Sequence, residues 1–113
     1  MPDASRPTGS VRRNDEANRY ELTVEGRFAG LAAYLDQAGQ RAFYHTEIEK
    51  SFQGRGLSSV LVDAALADAR EGGKRVVAVC PLVAGYLRKH AEFIDIVDPV
   101  TADVLRWLEN ALG

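Results

Sequence analysis

The chain has 113 residues, 46% of them hydrophobic and 27% charged, with a formal net charge of −2. This length suits one globular domain with a single two- or three-layer core. The balanced charge excludes the basic field that nucleic-acid binding needs, and no apolar run is long enough to span a membrane. The single cysteine, Cys80, has no partner for an internal disulfide, and without a secretory leader it points to a reducing, cytoplasmic setting.

Met1 to Asn18, rich in Pro, Ser, Arg, Asp and Asn, is expected to be a frayed tail, with the folded domain starting at residue 19. From Tyr20 to Glu25 apolar and polar residues alternate, as in a strand with one wet face. Gly26 offers a turn, Phe28 to Leu35 resumes as an antiparallel strand, and Asp36-Gln37-Ala38-Gly39 closes it. The third strand, Arg41 to Glu49, places Phe43, His45, Glu47 and Glu49 on one face by strict alternation, with Ala42, Tyr44, Thr46 and Ile48 on the other. A histidine and two carboxylates in register can form an acid-base device, although on an outer sheet face simple solvation is the favoured reading of these residues alone.

Gln53-Gly54-Arg55-Gly56-Leu57-Ser58-Ser59 joins this strand to a long helical run. Glycines let backbone approach an anion closely, and the first amides of a helix lack internal partners and carry the positive end of its dipole. The same residues suit a plain tight turn. Leu57 to Glu71 reads as a largely buried helix with a narrow polar stripe at Ser59, Asp63 and Arg70, stopped by Gly72-Gly73. Val76 to Cys80 is a continuous apolar strand, expected to lie inside the sheet and parallel to the third strand through a right-handed crossover. The glycine turn then falls at the C-terminal edge of a parallel strand, where open α/β sheets bind ligands.

Pro81 suits the first turn of a helix over Leu82 to His90, with Cys80 as its N-cap. Phe93 to Val97 is expected to be a short strand. Asp98 and Thr101 are alternative caps for a last helix whose Val104, Leu105, Leu108, Ala111 and Leu112 share a face, with Trp107 beside it.

A dinucleotide-binding fingerprint fails because its third glycine would fall at Ser59, and the Gly-Lys-Ser/Thr ending of a P-loop is missing. His45 and His90 stand apart with no ligand pattern around them, so no metal is expected. Cys80, at a helix N-terminus, has its thiolate favoured by the dipole, and a pairing with His45 on the neighbouring strand would make it a nucleophile. As a small buried hydrophobe it would be purely structural. Tyr86 is an amphipathic packing residue or a phenol aimed at a ligand, and Arg88, Lys89 and His90 suit a helix C-terminus.

Three blocks, His45-Thr46-Glu47-Ile48, Gln53-Gly54-Arg55-Gly56-Leu57-Ser58 and Cys80-Pro81-Leu82-Val83-Ala84-Gly85-Tyr86-Leu87-Arg88-Lys89-His90, occur in an order and spacing that resembles the GNAT superfamily of acyl-CoA-dependent N-acetyltransferases. Within it the chain is most similar to the small, single-domain branch of about a hundred residues. The phosphate turn of that family usually ends in Gly or Ala, whereas here it ends at Ser58, a residue still small enough for a backbone cradle.

The resemblance implies an α/β (α+β) fold: a mixed sheet of antiparallel N-terminal strands and a parallel strand-helix-strand unit, with C-terminal helices. It implies acetyl-CoA as acyl donor and an amine acceptor; the residues themselves lead us to expect no metal, nucleic-acid or membrane partner, and the lack of obvious extra apolar surface points to a monomer. The residues Gln53, Gly54, Arg55, Gly56, Leu57 and Ser58 would hold the CoA pyrophosphate, the pantetheine arm would pair with backbone near Ile48, and Tyr86 would meet the thioester. His45 would be the catalytic base with Glu47 as relay, Tyr86 the acid for the departing thiolate, and Cys80 the site of any covalent acyl intermediate. The alternative is a non-catalytic CoA-binding or protein-interaction module that keeps the cradle.

Overall fold

The computed structural model describes residues 9–113. Strands β1 (Ser10–Asn14), β2 (Arg19–Val24), β3 (Arg27–Gln37) and β4 (Gln40–Ile48) form an antiparallel meander. Helix α1 (Leu57–Glu71) crosses over to β5 (Arg75–Ala78), helix α2 (Pro81–Lys89) leads through a 3-10 turn (Ala91–Ile96) to the two-residue β6 (Val97–Asp98), and α3 (Ala102–Leu112) ends the chain. The six strands lie side by side in chain order, with β5 parallel to both β4 and β6. The expected mixed α/β fold is the one observed.

Two hairpins carry the turn chemistry anticipated for them. Glu25 and Gly26 both have positive φ (51° and 77°), as do Ala38 and Gly39 (49° and 79°). Tight two-residue turns of this kind match the twist of the flanking strands. Tyr20, Leu22 and Val24 bury one face of β2, as their alternation requires.

Two expectations fail, and one of two alternatives is decided. The segment read as tail contains β1, which pairs with β2 from Ser10↔Thr23 to Asn14↔Arg19, while Met1 to Thr8 lie outside the described residues. A five-residue polar edge strand leaves no apolar pattern, because its affinity is for β2 backbone. Phe93 to Val97 is mostly 3-10 helix, with β6 only at Val97–Asp98. Thr101, not Asp98, caps α3: its hydroxyl accepts from the Val104 amide at 3.2 Å, while Asp98 binds Gln40 and Arg75.

The sheet is covered on both faces. Under α1 and α2 lies the main core, including Tyr20, Leu22, Phe43, Leu61, Leu66, Val76, Cys80 and Val83. Beneath α3 a smaller cluster joins Ala42 and Val77 to Val104 and Leu108, with Tyr44 and Trp107 at its margin. Apart from these, Arg41 is a charged side chain buried at 5% exposure. Its Nε and Nη2 donate to the two Asp36 oxygens at 2.8 and 2.9 Å, Nη1 donates to the Tyr20 hydroxyl at 2.6 Å, and the guanidinium lies 4.3 Å from the Tyr34 ring centroid. Such a charge is tolerable only when fully partnered. Burial opposes its ionisation, yet the bonds it donates to Asp36 and the neighbouring tyrosine oxygens keep its pKa above the ordinary value.

Candidate functional site

The β4–β5 ladder runs from Gln40↔Arg75 to Phe43↔Ala78 and stops there. The Phe43 carbonyl accepts from both the Val79 and Cys80 amides, at 3.0 and 2.8 Å, and beyond it the two strands part. The Glu49 amide donates across β3 to the Ala29 carbonyl at 2.7 Å, so by alternation the Ile48 and Thr46 amides face the opening between β4 and β5. Gln53 Nε2 donates to the Ile48 carbonyl at 3.1 Å, tying the glycine turn to the lip of this opening.

A cleft of about 450 Å³ continues from the opening, lined by Thr46, Glu47, Ile48, Phe52, Gln53, Gly54, Gly56, Leu57, Ser58 and Leu82. Its size is that of a small-molecule site. Gly54 and Gly56 have φ of 80° and 72°, values that an L side chain rarely adopts. Gly56 is also the N-cap of α1, where no side chain caps the helix and no acidic residue occupies the first turn. The leading amides of α1 therefore stand beside the cleft without an internal acceptor, and the residues present fit a diphosphate-bearing ligand with an extended arm. Gly30 controls how closely β3 approaches here: a Cβ on it would sit 2.6 Å from the Glu47 carbonyl oxygen and 2.8 Å from Ile48 Cδ1.

Most of the expected ligand-binding residues meet in this cleft: Ile48, Gln53, Gly54, Gly56, Leu57 and Ser58. Arg55 instead lays its guanidinium 5.3 Å from the centroid of Phe52, with Arg27 at 5.4 Å from that ring. Tyr86 lines an adjoining cavity of about 320 Å³ with Ser58, Ser59, Pro81, Leu82, Gly85, Arg88 and Lys89. Its hydroxyl donates to Asp63 Oδ1 at 2.8 Å, and its ring stacks on His90 at 3.8 Å between centroids. Burial and then the bond to Asp63 raise the phenol's pKa well above the ordinary tyrosine value, so it holds its proton throughout the neutral range.

The face assignment of β4 requires correction. Between the pairs Ala33↔His45 and Tyr34↔Phe43 the register shifts, leaving Tyr44 as the extra residue of a β-bulge. The bulge reverses the alternation beyond it, as any one-residue slip must. Phe43 and Ile48 thus pack in the core under α1, and Thr46 Oγ1 lies 3.3 Å from the Sγ of Cys80 in that core. His45 and Glu47 project from the other face, their side chains 3.6 Å apart and more than half exposed. Cys80 therefore meets Thr46, not His45, and the expected Cys-His pairing is absent. Cys80 is indeed the N-cap of α2, but its buried thiol makes no capping bond.

Thr46, Phe52 and Leu82 were not singled out from the sequence, although each lines the cleft. Phe52, apolar and immediately before a glycine turn, carried a readable signal; Thr46 did not, because its face depends on the bulge. Among the described residues no group of three or more His, Cys, Asp or Glu could hold a metal ion, and no helix is long and apolar enough to cross a membrane.

A split parallel pair with a glycine cradle at its mouth defines an acyltransferase-type fold. The model of the GCN5-related N-acetyl-transferase family matches residues 19–96, and the chain belongs to that family. The NMR solution structure of a GCN5-like protein from Staphylococcus aureus superposes with a TM-score of 0.62 at 18% identity, covering 82% of this chain and 91% of that one. At that identity the likeness speaks for the fold. No match was found among curated proteins.

Proposed function

We propose that the protein is an acetyl-CoA-dependent N-acetyltransferase that acetylates an amine, free or on a protein. The observation that carries this reading is the continuity of one cleft from the unpaired β4 edge at Thr46 and Ile48 to the uncapped start of α1 at Gly56, Leu57 and Ser58. Bound acetyl-CoA would supply the thioester whose carbonyl carbon the amine attacks, a C–N bond forming as the C–S bond breaks.

In this reading the Gln53 to Ser58 backbone and Arg55 hold the diphosphate, and the Ile48 backbone orients the extended arm. His45, with Glu47 beside it, takes the amine's proton on the opposite face of the sheet, where an acceptor has free access. Tyr86 keeps its proton at neutral pH and donates it to the departing thiolate, which requires its hydroxyl to leave Asp63. Thr46 holds the Cys80 thiol in place, and transfer is direct from donor to amine.

A binding-only module is favoured by one observation: among the described residues no hydrogen bond or ion pair joins any two of His45, Cys80 and Tyr86. Thermal unfolding with and without CoA, followed by thiol release from acetyl-CoA with a panel of amines and peptides, separates the readings. A ligand bound only by the folded state at a hundred times its Kd adds about 2.7 kcal/mol. No rise in Tm at saturating CoA would sink both readings; a rise without thiol release leaves the module; release lost in His45→Ala identifies the enzyme and its base.

A further inference from the structure

The exposed His45–Glu47 pair is bedded in apolar side chains. Directly opposed residues of neighbouring strands share a face of the sheet, with Cβ atoms about 4.5 to 5.5 Å apart. The β3–β4 ladder sets Ala33 opposite His45 and Leu31 opposite Glu47, so two aliphatic residues lie beside this pair. Tyr44, the bulged residue, immediately precedes His45 and packs with Leu35 and Trp107 at the margin of the cluster under α3. On the next strand Arg19 pairs with Glu21 at 2.8 Å and rests 5.8 Å from the Phe28 ring centroid, so the charges bordering this surface on β2 neutralise each other.

An antiparallel sheet ordinarily turns polar side chains to water on its less covered face. Here Leu31, Leu35, Tyr44 and Trp107 are all partly exposed around a titratable pair. Packing of α3 accounts for Val104 and Leu108, which are buried, but leaves the two aromatic rings partly in solvent. Trp107 also belongs to a helix beyond residues 19–96, the span that the family model matches, so this wall is not part of the matched core. Resting on the acetyltransferase reading above, we propose that the acceptor is a small primary amine carried on an aromatic or branched apolar group. Leu31, Tyr44 and Trp107 bind that group, and Glu47 draws the ammonium to His45. A hydroxylated or peptide-borne amine would have to shed water from polar groups that an apolar wall does not replace.

Trp107 is the single tryptophan of the chain, so its fluorescence reports on the wall without any turnover. Titration with 2-phenylethylamine should give a saturable change, and ethanolamine at the same concentrations none. In thiol release from acetyl-CoA, kcat/KM should be about tenfold or more higher for 2-phenylethylamine than for ethanolamine or a glycine-flanked lysine peptide. Leu31→Gln and Trp107→Gln should each narrow that ratio at least about threefold while the CoA-dependent rise in Tm persists, folding being checked by circular dichroism. Arg106→Gln, at an exposed position of α3, should leave the ratio as it was. Equal kcat/KM for the amines, a preference for the peptide, or selectivity that survives both wall substitutions would overturn the proposal, and so would an unchanged fluorescence of the unaltered protein. A saturable fluorescence change without thiol release from any amine would instead uphold the wall and overturn the acetyltransferase reading on which its role as acceptor site rests.

Discussion

The two ends of α1 are built on opposite principles. At its C-terminal end, beside the first residues of β4 and β5, a network of charges is partnered: Arg41 with Asp36 and Tyr20, Arg13 with Asp15 and Asp68, Tyr20 with Asp68, and Lys74 with Asp36. At its N-terminal end the strands part, the helix is uncapped, and Arg27, Lys50, Arg55, Arg88 and Lys89 form no ion pair among the described residues. The five cations at the open end are exposed and stay hydrated, whereas the Arg41 guanidinium at the closed end is buried and must be partnered. The closed end is an internally satisfied network, while the open end keeps helix amides and cations accessible to solvent.

The sharpest way to break this comparison is at Arg41. Replacing it by Met should strip Asp36 and Tyr20 of their buried partner and cost about 3 kcal/mol. Urea unfolding would measure the loss, and a loss below about 0.5 kcal/mol would mean the closed end is not what anchors the fold. Acid probes the same network. The Asp68 carboxylate, disfavoured by its partial burial, is nevertheless held below its ordinary pKa by the bonds from Tyr20 and Arg13, and Asp36 is likewise lowered by Arg41 against its own burial. Carboxylates with depressed folded-state pKa values contribute stability that is present above about pH 4 and lost as pH falls through the lowered values. Stability measured from pH 6 down to 2 should therefore fall only below about pH 4, and less steeply in Asp68→Asn.

Gly30→Ala tests the boundary between the two regions. Its new methyl meets the Glu47 carbonyl and Ile48, and should cost about 1 to 3 kcal/mol while pushing the β4 edge into the opening. CoA affinity should fall with stability. Gly56→Ala acts at the open end alone. A positive φ in an alanine costs about 1 kcal/mol, but the altered cradle should remove most of the CoA-dependent rise in Tm. Smallest in stability is His45→Ala, within about 0.5 kcal/mol because the ring is exposed, although thiol release should fall at least about a hundredfold. A variant that unfolds early or turns over normally would remove His45 from the role proposed for it.

Much of this molecule is legible from the chain alone. The alternation of Tyr20, Leu22 and Val24, the Glu25-Gly26 and Ala38-Gly39 turns, the buried stripe of α1 and the Pro81 start of α2 are local signals, and each element formed where its residues required. So did the glycine turn before α1, since glycines before an apolar helix act through their own backbone. Tertiary structure decided the rest. The bulge at Tyr44 arises from the register between β3 and β4, and it alone determines that Thr46 meets Cys80 while His45 faces the other way. Strand β1 exists through its pairing with β2, and Arg41 is a buried hub because Asp36, Tyr20 and Tyr34 converge on it from other strands. Periodicity reports which residues a segment would bury, but which face a residue occupies beyond a register shift, and which charges find partners, depend on chain segments distant in sequence.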